Sequence, residues 1–139
     1  MSSAEAEPEH PHLRLIRAYF AAIEESAPLD NLAAFFTPDV QQREFPNRLV
    51  VQGAERGLEQ LLAGRRRGRE VVTDERYEIL DAVVMGDRIA VELRWTARMR
   101  IPVGALKAGD AMEARCGVFF TIRDGHIARQ HNYDCFTPF

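Results

Sequence analysis

The chain has 139 residues, 46% of them hydrophobic and 28% charged, which suits one globular domain with a single core. A net charge of −3 at pH 7 and a pI near 5.8 argue against nucleic acid as a partner. No apolar run approaches the roughly 18 residues a membrane span needs, and a chain this long buries about two-thirds of its unfolded surface, so its core needs no disulfide or metal.

Taken in order, MSSAEAEPE is small and acidic, and residues 1–10 are expected to form a leader without fixed structure ahead of one domain over 11–139. Pro11 suits a first helical position, and Leu13, Ile16, Phe20 and Ile23 recur at helical spacing, predicting a helix to about Ser26. Asp30 is the expected N-cap of a short second helix through Phe36, which Thr37-Pro38 stops. Val40 to Pro46 reads as a strand. Leu58, Leu61 and Leu62 predict a third helix from Gly53 to about Arg66, and the cluster GRRRGR from Gly64 to Arg69 reads as its charged end, set against the negative end of the dipole.

From Val71 the period changes to two. In IAVELRWTARMRI, Ile89, Val91, Leu93, Trp95, Ala97, Met99 and Ile101 alternate with polar residues, so one face is buried and one is wet. Met85-Gly86-Asp87 joins this strand to a preceding one, Arg76 to Val84. Arg123-Asp124-Gly125 joins the strand Ala111 to Ile122 to the last one. The late sheet is therefore antiparallel, and the loop at residues 102–110 is the natural place for a lid or hairpin tip. The element order, α, α, β, α and then four strands, predicts an α+β domain with helices on one face of a curved sheet. No H-x-x-x-H or C-x-x-C spacing occurs, so no metal site is expected. With no signal peptide in view, Cys116 and Cys135 read as reduced thiols of a cytoplasmic protein.

The segment RAYFAAIE on the first helix, FFTPDV leading into a polar strand, GAERGLEQLL at residues 53–62 and the terminal RDGHIARQHNYDCFTP together resemble the SnoaL-like branch of the nuclear transport factor 2-like superfamily. The resemblance covers about residues 11–136. It implies a cystatin-like cone, with three N-terminal helices packed on a strongly curved, mixed but mostly antiparallel sheet that wraps a pocket. It also implies a homodimer through the outer sheet face. The superfamily includes ketosteroid isomerases, limonene epoxide hydrolases, polyketide cyclases, dehydratases and noncatalytic binders, so fold alone does not select an activity.

Two templates within that resemblance sharpen the site. The isomerases place an aspartate base directly before the proline ending the first strand; in QQREFPN that position is Phe45, and Glu44 is one residue earlier, on the opposite side of the strand unless a bulge intervenes. Tyr19 stands where their phenolic donor would be, whereas the acid on the penultimate strand falls near Cys116 or Gly117. The epoxide hydrolases place an acidic base in the final strand; here Asn132 holds that place, and an amide orients water but does not deprotonate it. Asp134, two residues on, shares the face of Asn132.

Alternation leaves two facings of the last strand open. Either Gln130, Asn132 and Asp134 face the pocket, joined by Glu44 or Gln42, or His131, Tyr133 and Cys135 do, with His131 as the acid and base candidate; the first is preferred. The candidate catalytic residues are thus Asp134, Glu44, Tyr19 and His131. The candidate ligand-binding residues are Asn132, Gln42, Trp95, Phe45 and Phe119. Asp134 has a second reading, as a cap for the turn at Thr137-Pro138. The expected function is binding of a small hydrophobic molecule in an internal pocket, with cofactor-independent isomerase, cyclase, dehydratase or hydrolase chemistry by general acid and base. The alternative is a noncatalytic binding or dimerisation domain.

Overall fold

The computed structural model describes residues 8–139 and is an α+β cone. In chain order it runs α1 (Pro11–Glu24), α2 (Leu29–Ala33), β1 (Phe36–Glu44), β2 (Ala54–Arg56), α3 (Leu58–Val71), β3 (Val72–Met85), β4 (Arg88–Met99), β5 (Ala111–Arg123) and β6 (His126–Phe136). Residues 1–7 of the expected leader lie outside the described residues. Glu9 and His10 are tied down: Glu9 pairs with Arg17 at 2.7 Å, and the His10 ring accepts the His12 amide as the N-cap of α1.

The six strands form one sheet in the order β2-β1-β6-β5-β4-β3, antiparallel throughout except where β1 runs parallel to β6. The β5–β6 hairpin turns through Asp124 and Gly125, both at positive φ (52° and 74°), the turn whose twist matches that of the strands it joins. Irregularities at Thr73/Arg76 and Ile79/Asp81 in β3, and between Phe36 and Gln41 in β1, increase the twist locally and curl the sheet.

Several expected boundaries move. The first helix stops at Glu24 because Ser26 takes a left-handed conformation (φ 53°), and the second is only five residues long, with Pro28 as its N-cap and Asp30 inside its first turn. The first strand begins at Phe36, ahead of the expected Val40, since Thr37-Pro38 starts extended chain as well as ending helix. Ala54–Arg56, expected to open the third helix, instead pairs with Gln42–Glu44, so α3 starts after Gly57 and runs through the arginine cluster to Val71.

The core lies between α1 to α3 and the concave face of the sheet. Ile16, Phe20, Leu32, Ile89, Leu93, Phe120 and Ile127 are each at most 5% exposed there. β5 shows the alternation plainly: Met112, Ala114, Cys116, Val118, Phe120 and Ile122 are buried, whereas Phe119, between two of them, is 47% exposed on the convex face. Cys116 and Cys135 are on adjacent strands but opposite faces and stay free thiols.

Candidate functional site

Register decides which residues face inward. Cys116 pairs with Asp134, Val118 with Asn132 and Phe120 with Gln130, so the buried side of β5 carries Gln130, Asn132 and Asp134 of β6 onto the concave face. β1 follows, because Gln42 lies beside Gln130 and Glu44 beside Asn132. The preferred facing of the last strand is the observed one. Glu44 points inward without any bulge beside it, and it is Phe45, at the position of the isomerase base, that is turned out.

These side chains form a linked network. Arg56 of β2 donates to Glu44 Oε1 at 2.7 Å and to Gln42 Oε1 at 3.1 Å. The Gln42 amide donates to Asn132 Oδ1 at 3.1 Å, and Gln130 donates to the same oxygen at 2.9 Å. Asn47 donates to the second Glu44 oxygen at 2.8 Å. With both oxygens occupied, Glu44 is a held carboxylate that aligns its neighbours. Gln130 is 3% exposed and its Oε1 is buried without a partner among the described residues, which leaves one acceptor open beside Asn132.

A second polar group lies on the same face. Trp95 of β4 donates its indole N–H to Glu75 Oε1 at 3.1 Å; Arg65 of α3 stands 3.5 Å from that oxygen and 3.5 Å from the Tyr77 hydroxyl. Tyr77 stacks on Phe20 with ring centroids 4.5 Å apart, and Tyr19, 2% exposed, packs against Phe35 and Phe36. Burial raises the pKa of both phenols despite the opposing pull of Arg65, so both remain hydroxyl donors near neutral pH. Arg65 stays charged: burial lowers its pKa, but Tyr77, Tyr19 and Glu75 raise it further.

Asp134 is influenced by both groups. Burial raises its carboxyl pKa; a hydrogen bond with the Cys116 thiol lowers it, the negative charge of Glu44 raises it, and Arg65 lowers it, with a net upward shift. The Cys116 thiol is pushed well above its ordinary range by its own burial and then by Asp134, so it is a neutral donor to that carboxylate. No turn-capping role falls to Asp134, since the Thr137 amide pairs with the Glu113 carbonyl at 2.9 Å.

The other candidates lie on the convex face. Phe45 stacks on Tyr133 at 4.4 Å, Phe119 meets Tyr133 edge-on at 5.8 Å, and His131 lies edge-on to Phe45. The His131 pKa is lowered by partial burial and by Arg129, Arg43 and Arg88. The structure therefore gathers Asp134, Asn132, Gln42, Glu44, Tyr19 and Trp95 on one face and separates His131, Phe45 and Phe119 from them.

Arg56, Arg65, Glu75 and Tyr77 escape the sequence reading. Arg65 had a signal: Leu58, Leu61, Leu62 and Arg65 are spaced i, i+3, i+4, i+7, so the arginine extends an apolar stripe. Glu75 and Tyr77 are spaced two apart in β3, on one strand face with Ile79.

The concave face is not sealed. Asn132, Asp134, Phe136, Trp95 and Tyr77 are all half-buried, and Arg65 keeps 31% of its side-chain surface exposed. Two clefts approach its edges. One of about 210 Å³ lies among Glu24, Arg69, Asp74 and Arg100 and ends at Glu75; the other, about 580 Å³, lies among Arg43, Glu55, Arg129 and His131 and touches Gln42.

The SnoaL-like domain family matches residues 16–130, most of the chain and all the strands up to the middle of β6. The chain belongs to the SnoaL-like domain family. Solved structures with this fold include IdmH, a proposed polyketide cyclase from Streptomyces antibioticus (TM-score 0.74, 19% identity, 91% of this chain and 92% of that one). TsrD from Streptomyces laurentii is similar at TM-score 0.69 and 24% identity, over 96% and 91% of the two chains. A Catenulispora acidiphila protein with a ketosteroid isomerase-like fold, solved with trimethylamine, is similar at TM-score 0.68 and 18% identity, over 86% and 83%. No curated protein matches the chain significantly. Among the described residues, no helix is long and apolar enough to cross a membrane.

Proposed function

We propose that the concave face of this SnoaL-like domain binds a small hydrophobic molecule and that Asp134 moves a proton on it, as general base and then as general acid, without a cofactor. One observation carries the reading. Asp134 is an inward-facing carboxyl with a raised pKa and no salt-bridge partner among the described residues, on a face it shares with apolar side chains and the amides of Gln42, Gln130 and Asn132. Asn132 and Gln130 orient a polar group of the ligand, Gln42 and Glu44 hold Asn132 through Arg56, and Tyr19 with Tyr77 supplies hydroxyl donors for a developing oxyanion. Trp95 and Phe136, edge-on at 6.1 Å, form an apolar wall.

The experiment is protein-dependent deuterium exchange into 2-tetralone, an enolisable bicyclic ketone, followed by NMR in D2O. The wild type is expected to accelerate exchange, and Asp134→Asn to lose about 100-fold or more of that acceleration with the affinity for 2-tetralone unchanged. Binding of 2-tetralone without acceleration would favour the noncatalytic reading, which the absence of an acid at Asn132 and Phe45, where the enzyme templates place their bases, supports. For quaternary structure the reading is a homodimer through the convex face, where Phe119 and Tyr133 are 47% and 44% exposed beside Phe45. Sedimentation equilibrium of Tyr133→Asp checks it, with a monomer expected. A cytoplasmic location accords with the two free thiols.

A further inference from the structure

Resting on the concave face as the ligand site, we propose that its ligand is a hydrophobic carboxylic acid whose carboxylate is received by Arg65. The guanidinium carries five N–H donors in a planar fork that matches a carboxylate. Its present contacts are long, 3.5 Å to both Glu75 and Tyr77, where a charge-assisted hydrogen bond usually measures about 2.7–2.9 Å. Trp95 holds the Glu75 oxygen from the other side at 3.1 Å, so Glu75 offsets the charge of Arg65 without saturating its donors. Nearly a third of the Arg65 side-chain surface is uncovered, although the residue continues the apolar stripe of Leu58, Leu61 and Leu62, of which Leu61 is buried and the other two are partly buried.

The surroundings select the rest of the molecule. Tyr77 and Tyr19 add neutral hydroxyl donors beside the guanidinium, and the half-buried rings of Trp95 and Phe136 lie on the same concave surface. An apolar ring system with a carboxylate at one end satisfies both kinds of surface. Asp134 also faces the concave side, and its carboxyl is electrostatically coupled to Arg65, so the bound acid and the proton-transfer group lie on one face.

Calorimetric titration of the full chain with 2-naphthoate and with its neutral analogue 2-acetonaphthone tests this. The wild type should bind the carboxylate at least tenfold more tightly. Arg65→Met, which keeps the apolar stem of the stripe, should abolish that preference while leaving 2-acetonaphthone affinity within about twofold, and Arg65→Lys should retain part of it. Glu75→Gln removes the offsetting charge and should widen the preference; this arm decides the matter if Arg65→Met fails to fold. Equal wild-type affinities, a preference that survives Arg65→Met, or a preference unmoved in Glu75→Gln would overturn the assignment. Binding of the neutral probe alone would overturn it while sparing the ligand site, and binding of neither would remove both.

Discussion

Strand β6 presents two sets of polar residues to two different environments. On the concave side, Gln130, Asn132 and Asp134 lie under the helices, with Gln130 3% exposed and its amide committed to Asn132. On the convex side, His131, Tyr133 and Cys135 face outward, and Tyr133 stacks on Phe45 with 44% of its surface exposed. Outward polarity is inexpensive because water remains a partner. The inward triplet carries a desolvation cost that aliphatic side chains would avoid, and Asp134 carries it with no salt-bridge partner among the described residues. A polar cluster placed against the stability of its own core is the mark expected of a ligand or proton-transfer site.

The sharpest break in this comparison is catalytic. Asp134→Asn should remove about 100-fold or more of the 2-tetralone exchange rate, whereas His131→Ala, three residues away but on the other face, should leave it within about twofold. If His131→Ala removed the larger share, the assignment of faces to roles would be reversed.

Packing gives the next largest contrast. Phe120 is 1% exposed and lies against Phe20 with centroids 6.3 Å apart, so Phe120→Ala should lower unfolding free energy by about 3–5 kcal/mol at every protein concentration. Its neighbour Phe119 should cost the protomer less than about 1 kcal/mol as alanine. Its effect should show instead in the concentration dependence of denaturation, if the convex face joins two copies.

Ion pairs make a smaller contrast. Arg56 and Glu44 keep only 19% and 15% of their side-chain surfaces exposed at 2.7 Å, whereas Arg43 and Glu55 on the convex side are 54% and 76% exposed at 3.8 Å. Arg56→Met leaves a largely covered carboxylate short of its counter-charge and should cost about 2 kcal/mol by urea denaturation. Arg43→Met should change stability by no more than about 0.5 kcal/mol, because solvent already screens that pair.

The smallest effect is in pH. The folded-state pKa of Asp134 is raised, so the folded protein holds this proton more tightly than the unfolded chain does. Its contribution to stability is therefore present below the unfolded aspartate value and is lost as pH rises through the folded one. Asp134→Asn should accordingly be more thermostable than the wild type near neutral pH, with the gap closing as pH falls toward 4. A gap independent of pH would show that Asp134 titrates as an ordinary exposed carboxyl.

Much of this architecture is written in local spacing. Pro11 with the stripe Ile16, Phe20 and Ile23 specifies α1, the alternation from Ile89 to Met99 specifies the two faces of β4, and the Asp124-Gly125 turn joins β5 to β6, because helical and strand periods and left-handed turn positions depend on residues only a few places apart. The candidates Tyr19, Gln42, Glu44, Asn132 and Asp134 were legible as residue types on the right elements. Their facing was not. Whether Asn132 or Tyr133 lies inside depends on the register of β6 between β5 and β1, two strands of which one precedes it by some ninety positions, and whether Glu44 or Phe45 lies inside depends on the parallel pairing that follows. Arg65 was hidden for the same kind of reason. Its charge reads locally as a solvated helix end, and only the docking of α3 over the concave face, beside Glu75 and Tyr77, makes it an interior cation. Sequence by itself determined the helices, the long strands and the chemistry available; the tertiary structure decided the short β2 pairing and which side of each strand that chemistry occupies, because a one-residue change of register exchanges the two faces of a strand at no local cost.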